Sequence, residues 1–217
     1  MKLVLISDTH EQADKITVPD GDVLIHAGDW TYRGVSDRMQ EFWEWFASQP
    51  HKYKVAIAGN HELGLDSSET VRQYNLDMIR SYCGPNTHYL ENSGCQIDGI
   101  EFWGSPVSPR FYDWAFNRDR GQDIIQDWNR IPLTTQVLIT HGPPQGILDQ
   151  VPGDTSRIIG CEDLKRTVQN LTNLKLHVFG HIHSGYGTVV EGGVRYVNAS
   201  VCNHGYQPIN PPIVVEI

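Results

Sequence analysis

In this 217-residue chain, short runs of apolar, often branched residues repeatedly stop at residues that can bind metal, and this constrains the fold more than anything else in the sequence. Residues 2–7 lead into Asp8-Thr9-His10 and residues 23–26 into Gly28-Asp29. Residues 54–58 deliver Gly59-Asn60-His61-Glu62, residues 137–140 deliver His141-Gly142, and residues 174–179 deliver Gly180-His181-Ile182-His183. Apolar runs of this length, rich in Val, Leu and Ile, read as buried strands. The ligand types therefore fall where strands give way to loops.

Helical periods alternate with these strands. Met39, Phe42, Trp43 and Phe46 recur at helical spacing over 36–49, with Ser36 or Asp37 available as N-cap and Pro50 closing the segment. A second helix is expected over 68–83 with an apolar face of Val71, Tyr74, Met78, Ile79 and Tyr82, ended by Gly84-Pro85. Further helices are expected over 122–130 and 162–171, the latter after a Gly/Pro-rich loop. Short strands are expected at 87–90, 96–97, 100–103 and 213–217, with a hairpin over 188–197 turning at Gly192-Gly193. Strands and helices alternate early and hairpins come late, which predicts an α/β fold with mixed sheets. Neither repeat nor linker interrupts it, so residues 1–217 are expected to form a single domain.

A formal charge of −9 argues against attachment to duplex nucleic acid or an anionic membrane, both of which need clustered Lys and Arg. Small anions remain acceptable substrates, because bound cations reverse the local sign. Cys83, Cys95, Cys161 and Cys202 are far apart with no CxxC pair, so buried free thiols are expected rather than a zinc ribbon. The opening MKLVLISDTH is too brief an apolar stretch for a signal peptide, and a cytoplasmic protein is expected.

Asp8 and His10 lie two residues apart, so on extended backbone their side chains share a face and can grip one ion, while Asp29 can bridge to a second; His181 and His183 repeat the spacing. Carboxylate, imidazole and amide donors suit borderline divalent ions better than an all-oxygen or thiolate site. The order D-x-H, G-D, G-N-H-E, H, G-H-x-H from Asp8 to His183 resembles the calcineurin-like metallophosphoesterases. Gly104-Ser105-Pro106, Trp114-Ala115-Phe116-Asn117, His141-Gly142-Pro143-Pro144 and Asn210-Pro211-Pro212-Ile213 are similar to the metallophosphoesterase-domain-containing subfamily.

The resemblance implies a four-layer α/β/β/α sandwich with the ligands on loops at one edge. It places one divalent ion on Asp8, His10, Asp29 and His183 and a second on Asp29, Asn60, His141 and His181, with Mn2+ foremost and Fe, Co, Zn or Ni as alternatives. It implies phosphoester hydrolysis by a metal-bridging hydroxide, with His61 as the catalytic histidine, and a nucleotide or cyclic nucleotide diester as the small-molecule partner. A phosphomonoesterase or protein phosphatase is the rival activity, and a non-catalytic metal-binding scaffold the rival class. Glu62 is expected to orient a neighbour rather than to ligate. His26, His51, His88 and His177 are expected to be structural or on the surface, and His204 is left between packing and the site.

Gly28-Asp29-Trp30-Thr31-Tyr32-Arg33-Gly34 is similar to the G-D-x-x-D-R-G element of phosphoprotein phosphatases, with Tyr32 in place of the second aspartate, which makes Arg33 a candidate phosphate contact. The long loop 105–120 offers Arg110, Trp114 and Phe116 as candidate substrate contacts, the rings by stacking on a base. Plain packing of Trp114 and Phe116 against a sheet is the alternative.

Overall fold

A computed structural model describes residues 1–151 and 159–217. The strands are β1 (Lys2–Ile6), β2 (Val23–Ala27), β3 (Tyr53–Ile57), β4 (Thr87–Tyr89), β5 (Ser93–Ile97), β6 (Ile100–Ser105), β7 (Ser108–Pro109), β8 (Asn117–Arg118), β9 (Val137–Thr140), β10 (Leu176–Phe179), β11 (Gly187–Glu191), β12 (Val194–Asn198) and β13 (Ile213–Glu216). The helices are α1 (Ser36–Ser48), α2 (Glu69–Tyr82), α3 (Gln122–Trp128) and α4 (Glu162–Asn170). One sheet has the order β13-β1-β2-β3-β4, the other β11-β12-β10-β9-β6-β5. Both are mixed: β13 runs antiparallel to an otherwise parallel first sheet, and β11 and β5 run antiparallel to their neighbours in the second.

Both faces of each sheet are covered, which is why the central strands read as continuous apolar runs. Leu3, Leu5, Val23, Ile25, Val55 and Ile57 point inward to meet Phe102, Val137, Ile139, Leu176, Val178 and Val197 of the second sheet. The alternate residues Val4, Ile6, Leu24 and Ala56 point outward onto Met39, Phe42, Trp43 and Phe46 of α1 and Ile79 of α2. Leu138 and Phe179 are covered in the same way by Ile124 and Trp128 of α3 and Leu164 and Val168 of α4. The four-layer α/β/β/α sandwich follows from this period of two. Truncating fully buried Trp43 to Ala would cost about 3–5 kcal/mol.

The topology gathers the ligand loops. β1, β2 and β3 are parallel, as are β9, β10 and β12, so each set releases its chain at one end. Just beyond β1 and β12, Ser7 bridges to Ser200 and joins the two sheets at that edge. No helix is long and apolar enough to cross a membrane among the described residues.

The structure amends several local expectations. Ser36 is the first residue of α1, and Val35 occupies the cap with no side-chain bond. In α2, Val71 and Tyr74 are 43% and 62% exposed, while Ile79 is buried as expected and so is Asn75, whose amide donates to the Gly64 carbonyl at 2.9 Å. Residues 105–120 are not wholly irregular, since β7 and β8 pair in parallel within them. Cys161 and Cys202 are buried, but Cys83 and Cys95 are half-buried; all four are free. Residues 152–158 of the Gly/Pro-rich loop lie outside the described residues.

Candidate metal centre

The seven ligand candidates converge at the shared sheet edge. Asp8, His10 and His183 form one cluster and Asp29, His141 and His181 another, with the potential donor atoms of each within 4.8 Å of one another. Asn60 joins the second cluster, its Oδ1 lying 2.9 Å from His141 Nε2. Asp29 stands between the clusters: its Oδ2 is 3.3 Å from His141 Nε2 and 3.9 Å from the Nε2 atoms of both His10 and His61.

Four of these imidazoles are aimed by the same device. Nδ1–H donates to a backbone carbonyl in each: His10 to Thr31 at 3.2 Å, His61 to Tyr32 at 2.8 Å, His141 to Ala27 at 3.0 Å and His183 to Asn203 at 2.9 Å. With Nδ1 committed, Nε2 is the nitrogen turned toward the carboxylates. His10 and His183 meet Nε2 to Nε2 at 3.3 Å, an opposition of like dipoles that favours a proton or a cation between them. That convergence is the chemistry of a divalent-metal donor set, and the residues fit two such ions.

The carboxylates are held as firmly. Asp8 accepts the His181 backbone N–H at 3.0 Å and the Ser200 hydroxyl at 2.7 Å; Asp29 Oδ1 accepts the His61 backbone N–H at 3.0 Å. Glu62 belongs to neither donor cluster. Its buried carboxylate accepts from the N–H groups of Asp29 and Thr31 at 3.0 Å and of Gly59 at 2.7 Å, and from the Thr31 hydroxyl, tying the Asp29 loop to the Asn60 loop.

Backbone strain collects here. Asp8, His10, Asp29 and His181 have φ of +55°, +42°, +60° and +67°, in a left-handed region that costs a non-glycine residue roughly 1–3 kcal/mol. Glycine is required at Gly59 and Gly180 for a different reason. A Cβ on Gly59 would collide with Asp29 Oδ1, and one on Gly180 with Asp8 Oδ2 and Ser7 Oγ.

Burial and charge set the protonation states. Burial pushes His10 and His181 down to about 4, leaving neutral rings able to donate lone pairs at pH 7. Burial also opposes a charged His141, but Asp29 overrides it and raises the ring to about 9. Burial alone would raise Asp8 and Asp29, yet His183 beside the one and His141 beside the other hold both carboxyls below their usual range. Burial, reinforced by Asp29, pushes Glu62 up to about 8.

A cavity of about 680 Å³ opens above this floor, with Asp29, Asn60, His61, His181 and His183 at its base. Arg110, Phe111 and Trp114 are on its wall with Pro109, Pro143 and Ile182. Two expected substrate contacts are not. Phe116 is 5% exposed and packs into the α1 core, its φ of +56° turning the chain inward, so it is withdrawn as a stacking residue. Arg33 is exposed and off the cavity wall; its guanidinium carbon lies 5.2 Å from the Trp114 ring centroid instead. Arg110 reaches the wall but is paired through Nε with Asp119 at 2.6 Å.

Of the histidines set aside, His26 donates from Nε2 to Thr9 Oγ1 and accepts the Gly28 N–H at Nδ1, His177 donates from Nε2 to Thr140 Oγ1 at 2.8 Å, and buried His51 reaches the Pro19 carbonyl. His88 is half-buried. His204 returns to the site and lines the cavity. Tyr206 had no sequence signal except its place after β12. Its ring packs edge-on to His10 at 4.8 Å and His183 at 5.2 Å.

Comparison with known proteins agrees with this geometry. The calcineurin-like phosphoesterase family model matches residues 1–185. The whole chain aligns at 45% identity with metallophosphoesterase domain-containing protein 1 of Homo sapiens, covering 71% of it, and at 43% with a UPF0046 protein of Caenorhabditis elegans, covering 75%. Among solved structures, TT1561 of Thermus thermophilus superposes with a TM-score of 0.60 at 10% identity, over 91% of this chain and 88% of that one. A putative 5'-nucleotidase from Staphylococcus aureus gives 0.56 at 12% identity, over 91% of this chain and 48% of that one.

Proposed function

This chain belongs to the calcineurin-like phosphoesterase family, on its metallophosphoesterase-domain-containing branch, and from that premise we propose that it is a two-metal phosphodiesterase acting on small nucleotide or cyclic nucleotide esters. The observation that carries the reading is Asp29: one carboxylate oxygen within 4 Å of three imidazole Nε2 atoms, between two donor clusters. In this reading Asp8, His10, Asp29 and His183 hold one ion and Asp29, Asn60, His141 and His181 the other, with Mn2+ the first choice. Such ions supply Lewis acidity, lowering the pKa of water and neutralising phosphate charge.

The chain's own residues do the rest. His61 is fixed at Nδ1 by the Tyr32 carbonyl, so a proton held at Nε2 is presented toward the cavity, where it can pass to the leaving oxygen. In the phosphatase element that Gly28–Gly34 resembles, an aspartate stands where this chain has Tyr32; here the backbone carbonyl of Tyr32 anchors the ring. Phe111, Pro109, Pro143 and Ile182 give the wall an apolar stretch suited to the organic arm of a small ester. β11, β12 and β13 lie beyond the residues matched by the family model yet complete the two sheets, which supports treating residues 1–217 as one catalytic domain. Four free thiols suit the reducing cytoplasm.

The deciding experiment is a metal-screened comparison of 2′,3′- and 3′,5′-cyclic nucleotides with the matching nucleoside monophosphates on one preparation. Faster diester cleavage is expected, with Mn2+ the best activator. Faster monoester cleavage with every metal would replace the diesterase by a phosphomonoesterase.

A further inference from the structure

The aromatic side chains of residues 111–116 look interchangeable in composition, yet only Trp114 touches His61. The rings of Trp114 and His61 stack with centroids 4.3 Å apart and planes at 28°. The Tyr32 carbonyl fixes His61 at one atom, Nδ1, and a single hydrogen bond leaves the plane of the ring free to rock about it. The indole limits that rocking, and His10 limits it from another direction by an edge contact at 4.7 Å.

Trp114 is itself anchored. The next residue, Ala115, donates its N–H to the Asn60 carbonyl at 3.0 Å, so the loop is stapled to the residue adjoining His61. The Phe116 N–H donates to Asp66 Oδ2 at 2.8 Å, and Ala115 and Phe116 are both buried in the α1 core. The Arg33 guanidinium also packs on the indole, at 5.2 Å from its centroid, which favours a settled ring position. An indole already stacked on an imidazole has that face occupied and cannot offer it to a nucleobase. Phe111, by contrast, is half exposed on the cavity wall.

We infer that Trp114 is a positioning residue: it holds the plane of the His61 imidazole so that Nε2 faces the leaving oxygen, and Arg33 acts through it. The inference rests on the proposed role of His61 and assigns Trp114 to turnover rather than to substrate affinity. Angular play in a proton donor lowers the rate without weakening binding, and a misplacement of about 1 Å can cost roughly 100-fold.

The test is a double-mutant cycle of His61→Ala and Trp114→Ala, with Trp114→Phe as a third variant, on protein loaded with Mn2+ and supplied with bis-p-nitrophenyl phosphate, a diester without a base. Trp114→Ala is expected to lower kcat roughly ten- to 100-fold with KM and metal content unchanged, and Trp114→Phe to restore most of it. In the His61→Ala background, Trp114→Ala should have no further effect. Independently of turnover, in protein loaded with diamagnetic Zn2+ the His61 ring protons should lose their upfield ring-current shift in the NMR spectrum of Trp114→Ala. An effect on KM that persists without His61 would make the indole a substrate plate and overturn the inference. Unchanged kcat in Trp114→Ala beside a damaged His61→Ala, or an unmoved His61 resonance, would overturn it while leaving His61 reactive. Full turnover by His61→Ala would remove the reading of His61 and this inference with it.

Discussion

The floor and the wall of the cavity are built on opposite principles. On the floor, Asp8, Asp29 and Glu62 are buried with their oxygens engaged by backbone N–H groups or hydroxyls, and four imidazoles are clamped at Nδ1 by backbone carbonyls. On the wall, Phe111 is 50% exposed, and Arg110 spends its charge on Asp119. The floor is over-determined before any ligand arrives, whereas the wall can change with little loss to the fold. Loops on a rigid scaffold are where specificity is commonly adjusted. The difference implies that substitutions among the clustered floor ligands act on metal content and stability, and wall substitutions away from the Trp114–His61 stack on substrate choice.

The largest break should come from Asp29→Asn, which keeps shape and removes the shared charge. Metal affinity is expected to fall by more than the roughly 100-fold that loss of an outer hydrogen-bond partner can cost. Elemental analysis after dialysis should find the ions lost, and two ions retained would show that Asp29 does not bridge. Gly59→Ala removes no ligand at all, but its Cβ would displace Asp29 Oδ1. A roughly 10- to 100-fold loss of metal affinity by competition titration is expected, and an unchanged affinity would show the floor to be softer than it looks.

The layer under the floor should respond to acid. Burial lowers His26 and His177 to about 3, below the ordinary value near 6.5, so the unfolded chain takes up protons that the folded chain refuses. Their contribution is therefore complete above pH 6.5 and is lost as pH falls from there toward about 3. At pH 5 each should have cost about 2 kcal/mol, measurable as a lower urea midpoint than at pH 7. A midpoint independent of pH over that range would mean that both rings escape burial. The smallest effect belongs to the wall. Phe111→Ala is expected to raise KM for a cyclic nucleotide by roughly the factor of 2–10 that one aromatic contact supplies, with kcat and metal content unchanged. Loss of metal from this variant would erase the distinction between floor and wall.

The floor was legible in the sequence because metal chemistry admits few residue types and a strand end leaves them few places. The order of the fragments is the signal; the extended backbone expected to put two-residue neighbours on one face is absent, since Asp8 and His10 have φ of +55° and +42° and His181 and His183 fall in different clusters. The wall was not legible, because aromatic composition does not say which way a loop turns: φ values of +48° at Tyr112 and +56° at Phe116 send neighbouring rings to solvent and to the core. The α2 face was right at Ile79, Met78 and Tyr82 and wrong at Val71 and Tyr74, for a related reason. Beside Ile79 the helix buries Asn75, satisfied by the Gly64 carbonyl, and an apolar period cannot see a polar residue buried by a hydrogen bond. Ser200, Asn203 and Tyr206 reach the site only through the pairing of β12 with β10 and the Ser7 to Ser200 bridge, long-range facts that no local pattern encodes.

The Nε2 to Nε2 meeting of His10 and His183 spans 173 positions of chain, and it sets a clock on assembly. At the usual pace of translation, about 5–20 residues per second, His10 is made roughly 9–35 s before its partner. On the proposed ligand set Asp8, His10 and Asp29 would be an incomplete chelate throughout that interval, which would make ion capture one of the last events of biogenesis. Ribosome-arrested chains stopped before His181 should therefore wash free of metal, while chains with His183 outside the exit tunnel should retain it.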